Sequence, residues 1–180
     1  MEATGIVSGD LVAQALAGDQ AAFEALMRPL YEPGFRLAAA LLGSRSEAED
    51  AVQEALLRAW RKLHTFRPGS NVRAWFLTIV ANQCRQARRR RWWAVIRLGE
   101  PPARPSASAE DQVVRDWDLR RALGELSAEQ RLVLTLRYFL DLPFEEVAAV
   151  LGVKPAAARA RASRAVARLR ADLGEVNDDG

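Results

Sequence analysis

The chain has 180 residues and a formal net charge of +3 at pH 7, and this length suits one large or two small domains. Its single cysteine, Cys84, excludes an internal disulfide, and with His64 as the sole histidine a structural zinc site is not expected. The sequence has no run of about 18 apolar residues that could cross a bilayer, and the N-terminus lacks the pattern of a signal peptide. We therefore expect a cytoplasmic protein without membrane insertion, metal or cofactor.

Apolar residues recur at helical spacing along the whole chain, which predicts an all-α fold. Asp10 is positioned to cap a short first helix, and Asp19 to cap a second helix that ends at Gly43. Pro29 and Pro33 fall inside this second helix. Because proline lacks the backbone N–H, a kink or break is expected there.

Ser46 and Glu49 have the spacing of a capping box, which predicts the start of a third helix. The residues predicted to form its apolar face are Val52, Leu56, Trp60 and Leu63. A charged stripe lies opposite, formed by Glu47, Asp50, Glu54, Arg58 and Arg61. On spacing alone, these charges are exposed ion pairs of about 0.2–0.5 kcal/mol each.

The segment between Ala55 and Gly99 contains no Asp or Glu, while arginines alternate with tryptophans and phenylalanines. Within it, a long helix is predicted from about Val72 to Arg91. One face carries Phe76, Val80, Cys84 and Ala87, and the other carries Asn82, Arg85, Gln86 and Arg89. Basic charge interleaved with rings favours a nucleic-acid surface. The alternative is a helical core whose exposed side happens to be rich in arginine.

A proline-rich linker is predicted at residues 97–110, and helices resume near Asp111. Ser127 and Gln130 form a second capping-box pair. The apolar stripe expected after them is Leu132, Val133, Leu136, Phe139 and Leu140. The segment from Phe144 to Arg164 then has the pattern of a helix-turn-helix, with Gly152 at the turn.

Two modules in this order resemble the extracytoplasmic-function sigma factors of the sigma-70-type family. The matching segments are SEAEDAVQEALLRAWRKLHTF, NVRAWFLTIVANQCRQARRRR, LGELSAEQRLVLTLRYFLDLPFEEVAAVLGV and RASRAVARLR. The resemblance implies a bundle like sigma domain two at residues 10–96 and a helix-turn-helix like sigma domain four at residues 111–174. The extended linker joins them, and residues 1–9 and 175–180 are tails, the latter acidic.

The family implies that Asp50, Gln53 and Glu54 bind the RNA polymerase core enzyme, on its clamp helices. Glu47 and Arg58 lie on the same stripe and join this predicted surface.

The family also implies that the loop after the third helix and the long helix bind the unpaired strand of the promoter −10 element. Phe66 and Asn71 are candidates to hold a flipped base. Their contacts with it must offset the free-energy cost of unstacking the base. The remaining candidates on this surface are Arg73, Asn82, Arg85, Gln86, Arg88 and Arg89.

In the family, the second helix of the helix-turn-helix contacts the −35 element as duplex DNA. The candidate residues here are Lys154, Arg159, Arg161 and Arg164. The chain departs from the family at Pro155-Ala156-Ala157, where relatives typically carry Gly-Thr. Alanines contact thymine methyl groups but form no hydrogen bonds with base edges.

The resemblance therefore predicts a sigma factor that initiates transcription and catalyses no reaction, and anti-sigma partners are usual in that family. One alternative is a stand-alone helix-turn-helix repressor, which leaves the segment from Glu47 to Arg91 unexplained. Another is a nucleic-acid enzyme, which would have to assemble a site from one histidine, one cysteine and a basic block without acids.

Overall fold

The computed structural model of the chain describes residues 9–98 and 123–177, with side chains over 10–90 and 123–172. The N-terminal tail, the linker beyond Leu98 and the helix predicted near Asp111 lie outside the described residues. Helices alone make up the regular structure of the described part, which confirms the all-α prediction. Within that part, no helix is both long enough and apolar enough to span a membrane.

Within the described residues, the first domain contributes four helices, and the second contributes three, preceded by the helical residues 123–125. Those of the first are α1 (Gly9–Leu16), α2 (Gln20–Leu42), α3 (Arg45–Lys62) and α4 (Val72–Leu98), with a 3₁₀ turn at Leu63–Thr65. Those of the second are α5 (Ala128–Leu134), α6 (Phe144–Leu151) and α7 (Pro155–Asn177), with a π-helical turn at Thr135–Phe139 after α5.

Helix α2 continues through both of its prolines, so the predicted break is wrong. Asp19 caps it as expected, accepting a hydrogen bond from the Ala22 backbone N–H at 3.1 Å. Gly43 ends it in a left-handed conformation, with φ of 70°. The buried residues of α2 lie before, between and after the prolines, so tertiary packing compensates for the lost backbone hydrogen bonds.

Helix α3 begins two residues earlier than the predicted capping box, which is therefore wrong. Ser44, in an extended conformation, is the cap, and its hydroxyl accepts from the Glu47 backbone N–H at 3.4 Å. The buried face of α3 consists mainly of alanines, which let it approach α2 and α4 closely. Trp60, predicted to be on this face, is 38% exposed, and its ring contacts Phe23 edge-on at 5.0 Å between centroids.

Helix α4 is packed against both α2 and α3. Its inward face is the predicted one, with Phe76, Val80 and Cys84 at 1% exposure or less. Gly34 of α2 lies directly over this face. A Cβ atom on Gly34 would lie 2.9 Å from Cε1 of Phe76, so only glycine, which has a hydrogen in place of a side chain, fits at this position.

The second domain confirms the predicted helix-turn-helix. Ser127 and Gln130 form a complete capping box at the start of α5. Gly152 ends α6 with φ of 67°, and α7 begins at Pro155. Phe139 departs from the predicted apolar stripe and is 51% exposed. The π-helical turn explains this, because a wider turn rotates the following residues relative to α-helical spacing.

The two domains contact each other, which the sequence did not predict. Helix α6 packs against α4. Arg36 donates through Nη2 to the Phe139 carbonyl at 3.2 Å, and its guanidinium lies 4.2 Å from the centre of the Phe139 ring. Arg73 donates through Nη2 to the Leu140 carbonyl at 3.1 Å. The C-terminal end of the π-helical turn thus faces two guanidinium groups, the charge that a helix C-terminus prefers.

We expect Gly34→Ala to destabilise the protein by about 1–3 kcal/mol, because the added methyl group must displace the buried Phe76 ring. Chemical denaturation measures this change. Gly124→Ala is the matched control, since Gly124 is helical and a Cβ there meets nothing within 4 Å. This control should be neutral or stabilising, by up to about 1 kcal/mol. Equal stabilities of the two variants would contradict close packing of α2 on α4.

Candidate nucleic-acid interface

The charged stripe of α3 lies on the surface, as predicted. Asp50 and Gln53 are exposed, while Glu47, Glu54 and Arg58 are half-buried. The Glu54 Oε1 atom and the Arg58 Nε atom form an ion pair at 3.0 Å, one turn apart. An ion pair at the surface with this spacing contributes well under 1 kcal/mol to stability. The fold therefore does not depend on this ion pair.

The stripe borders a groove between α3 and α4 of about 380 Å³. The α3 side is formed by Glu47, Asp50, Ala51 and Glu54, and the α4 side by Gln83, Ala87 and Arg90. Gln83 was not among the predicted site residues. The signal was present, because Gln83 follows Phe76 by seven residues and Val80 by three, which places it on the buried face of α4.

The two residues predicted to hold a flipped base form intramolecular contacts in this structure. Phe66 is 4% exposed, and its ring contacts Trp75 edge-on with 5.3 Å between centroids. The Asn71 Oδ1 atom accepts from the Ala74 backbone N–H at 2.9 Å, as a helix cap does. Both residues position the start of α4, and their contact with a base stays a prediction.

The polar face of α4 is divided between solvent and the second domain. Asn82, Arg85 and Arg89 are exposed, and Arg85 Nη1 donates to Asn82 Oδ1 at 2.8 Å. Gln86 is half-buried. Arg73 and Arg88 are also half-buried, and each has a buried nitrogen with no hydrogen-bond partner among the described residues, Nε in Arg73 and Nη1 in Arg88.

Arg88 also affects a residue of the second domain. Burial lowers the pKa of Arg131, and the nearby charge of Arg88 lowers it further. Two carbonyl groups just before α5 hold the Arg131 side chain. Its Nε donates to the Leu123 carbonyl at 3.0 Å, and its Nη2 donates to the Gly124 carbonyl at 3.0 Å. The positive charges of Arg88 and Arg131, which belong to different domains, therefore repel each other.

The basic residues of the helix-turn-helix lie at the start of α7. Lys154, Arg159 and Arg164 are exposed, while Arg161 is half-buried. Arg159 pairs with Glu145 at 3.2 Å, and Arg161 lies 3.8 Å from a Glu129 oxygen. These exposed pairs are weak enough for a phosphate to replace the carboxylate.

No cluster of metal-ligating side chains occurs among the described residues. The only thiol of the chain is buried: burial raises the pKa of Cys84 from 9.0 to about 12, and the charges of Arg85 and Arg88 only partly oppose this. The thiolate, which is the reactive form, is thus suppressed at neutral pH.

Each of the two domains matches the model of a known protein family. Residues 22–94 match the model of sigma-70 region 2, and residues 116–169 match that of sigma-70 region 4. The extracytoplasmic-function (ECF) RNA polymerase sigma factor SigL of Mycobacterium tuberculosis is 35% identical over 89% of this chain and 96% of that protein. The RNA polymerase sigma factor CarQ of Myxococcus xanthus is 36% identical, over 72% of this chain and 76% of that protein.

Two solved structures share the fold. One is the sigma factor RpoE of Bartonella quintana in complex with the anti-sigma factor NepR, with a TM-score of 0.71, 29% identity and coverage of 84% of this chain and 96% of that chain. The other is CnrH in complex with the cytosolic domain of CnrY, with a TM-score of 0.68, 30% identity and coverage of 94% and 98%.

The chain therefore belongs to the ECF sigma factors of the sigma-70 family, as the sequence motifs predicted. Its function is that of an RNA polymerase sigma factor, as predicted, and the alternative of a stand-alone repressor is not supported.

We expect Cys84 to be unreactive in the folded protein at pH 8, because its thiol stays protonated and buried. A thiol-specific disulfide reagent should release less than about a tenth of its chromophore from native protein and a full equivalent in denaturant. Rapid labelling of the native protein would contradict the buried placement.

Proposed function

We propose that the chain acts through three surfaces. Helix α3 binds core RNA polymerase, α4 and its preceding loop bind the melted −10 strand, and α7 binds the −35 duplex. The observation that carries this proposal is the charge separation within the first domain. Helix α3 presents carboxylates beside a groove, while α4, packed against it, contains no acid. One rigid unit can therefore hold a protein by one face and nucleic acid by the other.

On the −10 surface, the proposed work is neutralisation of phosphates and capture of unpaired bases. Arg85 and Arg89 are exposed on α4 and can contact the phosphate backbone of the DNA strand directly. Arg73, Arg88, Asn82 and Gln86 extend the same surface. For Phe66 and Asn71 to contact a base, the loop that holds them must rearrange, since both are engaged within the chain.

On the −35 surface, the start of α7 lies in the major groove. Lys154, Arg159, Arg161 and Arg164 contact phosphates and bases from this helix. The exposed Ala156 and Ala157 offer only methyl groups, which suit thymine.

In this function the chain acts in the cytoplasm as an initiation factor, and the polymerase performs the bond chemistry. The RpoE structure contains the anti-sigma factor NepR, and the CnrH structure contains the cytosolic domain of CnrY. We extend this to the present chain and propose that an anti-sigma partner controls it.

Transcription with purified components tests the proposal as a whole. Core polymerase plus this chain should yield discrete run-off transcripts from a library of genomic promoters, and core polymerase alone should not. If no specific transcript appeared, and the isolated chain instead bound a palindromic duplex tightly, the repressor would be the better description.

Asp50→Arg should weaken binding to core polymerase by about 100-fold or more, because it places a like charge where the partner is expected to be basic. Asp50 is exposed, so helicity by circular dichroism should not change. Glu32→Arg, the same reversal at an exposed site on α2, should bind as the wild type does. Unchanged co-purification of Asp50→Arg with the polymerase would refute the docking assignment.

Arg161→Ala should weaken promoter binding by the polymerase complex and reduce the slope of log K against log salt by about one unit, as expected for one lost phosphate contact. Its pairing with Glu129 at 3.8 Å is too weak for its loss to unfold the domain. Arg170→Ala, near the other end of α7, serves as the control. Identical slopes for the two variants would remove Arg161 from the DNA interface.

A further inference from the structure

Gln83 is a buried polar residue with an unmet hydrogen bond. It is 2% exposed, and its Oε1 atom accepts no hydrogen bond within the described part of the chain. A buried amide oxygen without a donor lowers the stability of the folded state. An apolar residue of the same length would avoid the cost of this unpaired oxygen.

The position of Gln83 suggests where the missing donor comes from. Gln83 lines the groove between α3 and α4, facing Asp50 and Glu54 of the charged stripe. The last side-chain torsion of glutamine is broad, so the amide can rotate while the rest of the side chain stays packed. The groove's own cation, Arg90, does not satisfy this oxygen in the free chain.

We propose that Gln83 is part of the polymerase-docking surface, and that its carbonyl accepts a hydrogen bond from an arginine side chain that the core enzyme inserts between α3 and α4. This inference rests on the proposed docking of α3 on the polymerase. It adds to the polymerase-docking surface a residue from α4, the helix that is otherwise proposed to bind DNA.

The acceptors around the groove fit a guanidinium group. Asp50 is exposed and makes no ion pair among the described residues, and the Glu54–Arg58 pair engages Oε1 of Glu54 alone. A guanidinium has five N–H donors in a planar fork, enough to bridge carboxylates and an amide oxygen together. The volume of about 380 Å³ is ample for one such side chain.

This role predicts opposite effects on stability and on binding. Gln83→Met keeps the length of the side chain and removes the unmet acceptor. We expect its melting temperature to rise by about 2–4 °C. Its affinity for core polymerase should fall about tenfold, because the inserted donor then meets a thioether. A residue needed only for packing would not raise one quantity while lowering the other.

The experiment measures thermal unfolding of the full chain and its binding to core polymerase by fluorescence anisotropy. Gln14→Met, the same change at an exposed site on α1, should leave both unchanged. Gln83→Glu is the second variant. With a carboxylate facing the incoming cation, it should bind at least as tightly as the wild type, with a steeper dependence on salt.

The outcomes separate this inference from the proposed function. If wild-type protein failed to bind core polymerase, the proposed function would fail. If it bound normally and Gln83→Met bound equally well, or if stability and affinity fell together, Gln83 would have no role in docking. Weaker binding by Gln83→Glu than by the wild type would exclude a cationic occupant, even if the methionine variant did not fold.

Discussion

The close approach of α2 to α4 at Gly34 and Phe76 determines what the first domain can present. Because a Cβ on Gly34 would lie 2.9 Å from the Phe76 ring, the two helices meet with no spacer between them. This contact fixes the rotation of α4 about its axis. With Phe76, Val80 and Cys84 held inward, Asn82, Arg85 and Arg89 must point outward. A rotation of one residue, about 100°, would bury guanidinium groups.

Much of the fold could be predicted from the sequence, because the burial of each helix repeats at helical spacing. The inward face of α4, the cap at Asp19 and the capping box at Ser127 all depend on residues close together in the chain. The errors have a common cause. Packing from distant residues carries α2 through Pro33, and the π-helical turn moves Phe139 off the predicted stripe. Neither effect is visible in local spacing.

In the candidate site, too, features set by local spacing could be predicted and features set by packing between helices could not. The exposed carboxylates of α3 were found from spacing and family resemblance, since one helix presents them all. Gln83 was missed because its importance depends on where a second helix meets the first. Asn71, a candidate to contact a base, caps α4 in this structure, as asparagines before helices commonly do, and its contact with a base stays a prediction.

The contact between the two domains is held by packing more than by charge. Arg36 and Arg73 gain carbonyl acceptors from Phe139 and Leu140. Two effects oppose these gains: a nitrogen each of Arg73 and Arg88 has no hydrogen-bond partner in the described part of the chain, and the charges of Arg88 and Arg131 repel each other. Unpaired buried donors and like charges each cost free energy, so the polar part of the contact yields little net stabilisation.

The stabilising part of the domain contact therefore lies where α6 packs on α4. The same helix α4 thus supports the first domain through one face, contacts the second through another, and presents arginines on what remains. Because α4 contains no acid, none of its own side chains can neutralise those arginines. Their counter-charges must come from other elements or from a bound polyanion, which is the physical reason that an acid-free helix in a folded domain points to nucleic acid.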